Sequence, residues 1–97
     1  MNFQEKVWAI TARIPPGRVV TYADIAHQLG GRAYRAVGQA LNRNPYTPQV
    51  PCHRVIGSDG RLTGFMGGLA KKQRLLAAEG VRVLRGRIAL GRFGWKL

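Results

Sequence analysis

The sequence predicts a mainly α-helical domain with minor β structure and a winged-helix-like, helix-turn-helix character. Three observations carry this reading. Apolar residues recur at helical spacing in several separate stretches. Two of those stretches are short and joined by a Gly-Gly turn. The β-prone pieces, Val19-Val20 and Val81 to Leu84, are too short for a large sheet. A length of 97 residues allows one domain, spanning 1–97.

The elements follow in chain order. Asn2 with Glu5 three residues on is a helix-start signal. Phe3, Val7, Ile10 and Ile14 then recur on one face. Pro15-Pro16-Gly17 stops that helix. Val19-Val20 is a candidate wing-like strand. Thr21 and Asp24 form a capping box for a second helix, with Ile25, Ala26 and Leu29 inward. Gly30-Gly31 ends it. A third helix runs from Ala33 to Asn42, with Val37, Ala40 and Leu41 inward. Its outer face carries Arg35, Gly38, Gln39 and Asn42, with small Ala33 and Ala36 beside them. So small a face can approach a groove closely.

Residues 44–68 hold repeated Pro and Gly and read as a long irregular segment, which in a compact domain is usually functional. A fourth helix spans Leu69 to Glu79, with Leu69, Leu76 and Ala77 inward and Gly80 as its cap. Val81 to Leu84 alternates as a strand. The basic tail ends in Phe93, Trp95 and Leu97, which either pair as a second strand or pack back on the core.

Composition excludes several classes. No apolar stretch is long enough to span a membrane. The N-terminus has no signal core, so a cytoplasmic, nucleoid-associated location is expected. A lone cysteine, Cys52, rules out an internal disulfide framework. Two histidines and four carboxylates make no metal site. No cofactor is expected. Sixteen Lys and Arg against four Asp and Glu give +12. An excess of that size points to a phosphate-rich partner, although a merely basic soluble protein has the same composition.

Val50-Pro51-Cys52-His53-Arg54-Val55 is the chemical centre of the sequence. Cysteine is a strong nucleophile once ionised, and a nearby histidine can take its proton directly or through water. Adjacent residues in a strand face opposite ways, so a Cys-His pair needs a turn here. Glu79 is available to orient His53. The alternatives are an inert buried thiol, a solvated histidine and an ordinary helix-end carboxylate. Glu79 fits the last poorly, because a helix C-terminus disfavours negative charge. The chemistry itself remains open among hydrolysis, redox sensing and group transfer.

Pro51-Cys52-His53-Arg54-Val55 resembles the active-site signature of the O6-alkylguanine-DNA alkyltransferases. Thr21-Tyr22, Arg35-Ala36-Val37-Gly38, Asn44-Pro45, Gly67-Gly68-Leu69 and Leu75 to Gly80 fall in the family's order at similar spacings. The resemblance covers roughly the whole chain, as the family's C-terminal domain; the family's N-terminal domain has no counterpart here.

The resemblance implies a monomeric, direct-reversal repair protein. It would bind double-stranded DNA in the minor groove and flip the O6-alkylguanine out of the stack. It would then transfer the alkyl group irreversibly to Cys52. By the same carry-over His53 accepts the thiol proton through water, Glu79 orients His53, and Asn44 braces the turn. Tyr22 twists the phosphate beside the lesion and donates to the purine. Arg35 fills the gap left by the flipped base, with Ala36, Gly38 and Gln39 on the same DNA-facing helix. Backbone groups near Val55 and Met66, with Tyr22 and Phe65, line the alkylguanine pocket. Arg54 reads as structural.

Phe65 stands where the family often has tyrosine, and Met66 where a small residue is frequent. The Gly91-Arg92-Phe93-Gly94-Trp95 tail is similar to that of the alkyltransferase-like proteins. Those bind the lesion without repairing it and pass it to nucleotide excision repair proteins. They lack the cysteine that this sequence keeps.

Overall fold

The computed structural model describes residues 1–46, 49–63 and 68–97. Helix α1 (Phe3–Thr11) is followed by strand β1 (Val20–Thr21), α2 (Tyr22–Gln28) and α3 (Tyr34–Asn42). A single 3₁₀ turn (Cys52–Arg54) leads into β2 (Val55–Ile56). Then come α4 (Leu69–Ala78), β3 (Val83–Leu84), β4 (Arg87–Ile88) and α5 (Leu90–Phe93). The mainly helical, helix-turn-helix reading holds.

Local chemistry explains the helix starts. The Asn2 side chain accepts from Glu5 N–H while the Glu5 carboxylate accepts from Asn2 N–H. Thr21 and Asp24 repeat the arrangement at α2. Each box satisfies two otherwise orphaned amides. Across the helix-turn-helix, His27 Nε2 lies 3.2 Å from the Tyr34 hydroxyl. Trp8 Nε1 donates to Ala40 O at 2.8 Å and ties α1 to α3.

β1 and β2 pair in parallel, with Val20 opposite Val55 and Thr21 opposite Ile56. Side chains alternate along a strand, and this two-stranded ribbon therefore feeds two cores. Val20 and Val55 join Val7, Ile10, Ile25, Val37 and Leu41 from the three N-terminal helices. Val19 and Ile56 join Leu76, Val81 and Ile88. Each such aliphatic, fully buried, contributes about 1.5–3 kcal/mol relative to exposure.

Several expectations are corrected. The strand at Val19-Val20 forms as Val20–Thr21, one residue later than read; Val19 and Val20 are both fully buried, and Val20 pairs with Val55. Phe3 is 39% exposed, so the inward stripe of α1 begins at Val7. Ile14 is buried but lies past the end of α1. On α4, Leu69 and Ala77 are exposed, and the inward stripe is Lys72 and Leu76, one helical turn apart. Of the β-prone stretch at 81–84, only Val83–Leu84 is strand; it closes an antiparallel hairpin with Arg87–Ile88.

The tail takes the second of its two options. It forms the short helix α5 and then packs back beside Val19, whose N–H donates to Phe93 O and whose carbonyl accepts from Trp95 N–H. Trp95 and Leu97 rest on the first core. No helix among the described residues is long and apolar enough to cross a membrane.

Candidate active site and nucleic-acid interface

Pro51 precedes a tight turn in which Arg54 N–H donates to Pro51 O and Val55 N–H to Cys52 O. In a 3₁₀ turn successive side chains fan out by about a third of a circle. Cys52, half-buried, packs against the first core, while His53, 4% exposed, reaches Glu79. The turn that a Cys-His pair requires is therefore present. Asn44 braces its approach: Nδ2 donates to Val50 O and Oδ1 accepts from Tyr46 N–H, both at 2.8 Å.

Glu79 caps the C-terminus of α4, a poor place for negative charge. Its partners offset that. His53 Nε2 lies 2.8 Å from Oε2. Arg54 donates to both oxygens, with Nη2 at 2.7 Å from Oε2 and Nε at 2.9 Å from Oε1. Gly17 N–H adds a contact at 3.3 Å. Burial alone would raise the Glu79 carboxyl, but these hydrogen bonds, led by Arg54 and then His53, hold it at about 2. Arg54 Nη1 also donates to Ile14 O at 2.7 Å, pinning the corner after α1. Arg54 thus positions Glu79, as its structural reading implied.

Burial pushes His53 below its ordinary value, with Arg54 and Lys72 adding to the effect against the opposing pull of Glu79. A neutral imidazole beside a carboxylate donates through Nε2–H. Nδ1 is then the basic nitrogen, free to take a proton.

Lys72 is the residue that sequence reasoning missed. It is fully buried, and Nζ donates to Val55 O and Thr63 O at 2.7 Å each. The ammonium sits 5.9 Å from the centre of the Tyr22 ring. Desolvation lowers Lys72 to about 8, with Cys52 pulling the other way. The available signal was its position four residues before Leu76; the rule that lysines stay outside concealed it.

Tyr22 opens α2, half-buried against the first core. Burial pushes its phenol up, Thr63 pulls it back, and Cys52 pushes it further. The Thr63 hydroxyl itself is buried and lacks a well-formed hydrogen bond among the described residues. Val55 is fully buried, with its N–H given to Cys52 O and its carbonyl held by Lys72. Phe65 and Met66 lie outside the described residues. Arg35 and Gln39 are exposed on α3, with Ala36 and Gly38 half-buried beside them. The fold thus gathers Cys52, His53, Glu79 and Tyr22 around one turn and sets the Arg35 face on a separate helix.

Residues 2–81 match the family model for the 6-O-methylguanine DNA methyltransferase, DNA binding domain. The chain belongs to that family. The methylated-DNA–protein-cysteine methyltransferase of Methanosarcina barkeri is 54% identical over 79 residues, covering 80% of this chain and 50% of the relative. That of Salmonella typhimurium is 49% identical over 83 residues, covering 84% of this chain and 48% of the relative. The chain spans about half the length of the curated relatives it matches.

Among solved structures, S. pombe Atl bound to damaged DNA containing O6-carboxymethylguanine superposes with a TM-score of 0.87 at 32% identity. It covers 98% of this chain and 95% of its own. Mycobacterium tuberculosis OGT in complex with DNA gives 0.78 at 48% identity, covering 81% of this chain and 50% of its own.

Proposed function

We propose that this methyltransferase-family domain repairs O6-alkylguanine in duplex DNA by moving the alkyl group to Cys52. The observation that carries the reading is the Cys52-His53 turn anchored to Glu79, in a chain whose relatives are named methylated-DNA–protein-cysteine methyltransferases. His53, neutral and with Nε2 committed to Glu79, takes the thiol proton at Nδ1 through a water. The thiolate attacks the alkyl carbon, the S–C bond forms as the O6–C bond breaks, and guanine leaves. The proton lost by the thiol balances the one guanine takes up. No step returns the thioether to the thiol, so each molecule acts once.

In this reading α3 enters the minor groove and Arg35 occupies the space of the flipped base. Ala36, Gly38 and Gln39 allow the close approach. Tyr22, kept neutral by burial, donates to the purine. Asn44 holds the turn. Val55, Phe65 and Met66 wall the alkylguanine pocket.

A second reading is lesion recognition without transfer, with nucleotide excision repair proteins as the recipients. It is favoured by the S. pombe Atl complex, which matches nearly all of both chains, tail included. The two readings part at Cys52. Under the first, Cys52→Ala abolishes transfer and spares the preference for alkylated over plain duplex. Transfer that survives the substitution excludes Cys52 as the nucleophile. Equal affinity for the two duplexes removes both readings and leaves a general DNA-binding protein.

A further inference from the structure

The hairpin beyond residue 81 lies outside the matched family domain and carries two features that its own stability does not explain. The first is its turn. β3 and β4 are joined by Arg85-Gly86, with φ of 54° and 73°. Two consecutive positive φ values are what a type I′ hairpin turn demands, and its first central position favours Asn, Asp or Gly. Arginine there is strained, and it is the only non-glycine with positive φ among the described residues. Strain kept at a non-glycine residue is a pointer to function.

The second feature is a like-charge pair. Arg61 and Arg87 stand directly opposite each other in an isolated antiparallel bridge. Opposed like charges destabilise a strand pair. The contact is enforced by close packing: Gly57 N–H donates to Arg61 O, Leu62 N–H to Gly86 O and Ile88 N–H to Gly60 O. Gly60 has φ of +87°, and a Cβ there would fall 2.5 Å from Ile88 O. The loop bearing Arg61 therefore cannot drift away from β4.

Arg61, Arg85 and Arg87 line one groove of about 490 Å³, with Leu62 and Gly86. The nearby carboxylate is Asp59, which pairs with Arg61 Nε at 3.1 Å and accepts from Arg61 N–H. One carboxylate against three guanidinium groups leaves the groove strongly positive. A phosphodiester backbone supplies the missing anion, and guanidinium forks suit its oxygens.

The geometry points to a second phosphate-binding surface, in which Arg61, Arg85 and Arg87 grip a DNA backbone through a groove that shares no residue with the Arg35 helix. It rests on the DNA-binding reading above and joins Arg61 to two arginines, Arg85 and Arg87, that lie beyond the stretch matched by the family model. The backbone belongs either to the flanks of the duplex held at α3 or to a second duplex.

The test is the salt dependence of binding, from 50 to 200 mM, to a duplex containing O6-methylguanine. Arg85→Asn suits the turn better than arginine, and Arg87→Gln relieves the like-charge contact, so the double variant keeps its melting temperature. Its slope of log affinity against log salt becomes shallower by roughly 1 for each arginine removed. Its preference for the alkylated over the plain duplex is unchanged. Arg13→Gln, at an exposed arginine just past α1, is the control compared per arginine removed and leaves the slope where it was. A double-variant slope equal to wild type, or an equal fall per arginine in the control, overturns the proposal while leaving the DNA reading intact. Wild-type protein that binds no DNA overturns both. A loss seen only on a longer duplex assigns the surface to flanking DNA; a loss of the second bound duplex on short DNA assigns it to a second molecule.

Discussion

The carboxylate of Glu79 lies 2.8 Å from His53 Nε2 and grips Arg54, the next residue, with both oxygens. One helix-end side chain thereby fixes two consecutive residues of the turn that begins at Cys52. Arg54 neutralises the carboxylate, and His53 keeps a defined tautomer without having to be charged. Among the described residues, Glu79 is the only group that bonds both.

The held carboxylate sets an acid limit on stability. Its folded value, about 2, lies below its ordinary 4.5. The stabilisation is therefore complete above pH 4.5 and is lost as pH falls toward 2. It amounts to on the order of 2–3 kcal/mol. Urea unfolding of wild type across that window falls more steeply than that of Glu79→Gln. Parallel slopes would show that Glu79 is not what the fold loses in acid.

His53 titrates below its ordinary value of 6.5, so the unfolded chain takes the proton first. Stability then declines as pH drops through 6.5 toward the folded value. Above that value the ring is neutral and protonated on Nε2. Nitrogen-15 NMR at neutral pH is expected to report that tautomer. An imidazolium, or a proton on Nδ1, contradicts the assignment of Nδ1 as the base.

Lys72 gives the opposite end of the pH range. Its folded value of about 8 lies below 10.5, so between those limits only the unfolded chain still binds the proton. Stability rises with pH across that window. Lys72→Met removes this rise. At pH 7 it also leaves the Val55 and Thr63 carbonyls without their donor and costs about 2–4 kcal/mol. Denaturant midpoints at pH 7 and pH 10 check both effects, and a variant as stable as wild type at pH 7 contradicts the bonding role.

Arg35 is exposed on α3, a different element from the Cys52 turn. If it replaces the flipped base, Arg35→Ala weakens binding to alkylated duplex roughly ten-fold or more, about 1–3 kcal/mol, and plain duplex less. Fluorescence titration with both duplexes measures the difference. Equal losses reduce Arg35 to a phosphate contact.

Much of this was legible in sequence because the signals are local. Asn2/Glu5 and Thr21/Asp24 announce their helices within four residues, and Pro15-Pro16-Gly17 announces the break. The ordered motifs around Cys52 gave the family. Long-range facts stayed hidden. Val19-Val20 shows β propensity, but nothing local says that the strand it opens, Val20–Thr21, pairs with Val55–Ile56. Lys72 looks like surface charge until the carbonyls of Val55 and Thr63 arrive from another part of the chain. Leu69 and Ala77 fit a helical stripe, yet the core meets the stripe through Lys72 and Leu76. Arg61 and Arg87 are far apart in sequence and become a like-charge pair only when the hairpin closes.

The central claim is that Cys52 accepts the alkyl group. Intact-protein mass after incubation with a duplex carrying one O6-methylguanine tests it most directly. The account predicts a gain of one methylene unit per molecule, absent with plain duplex and absent in Cys52→Ala. An unchanged mass in protein that still prefers the methylated duplex would contradict transfer and make this chain a lesion sensor.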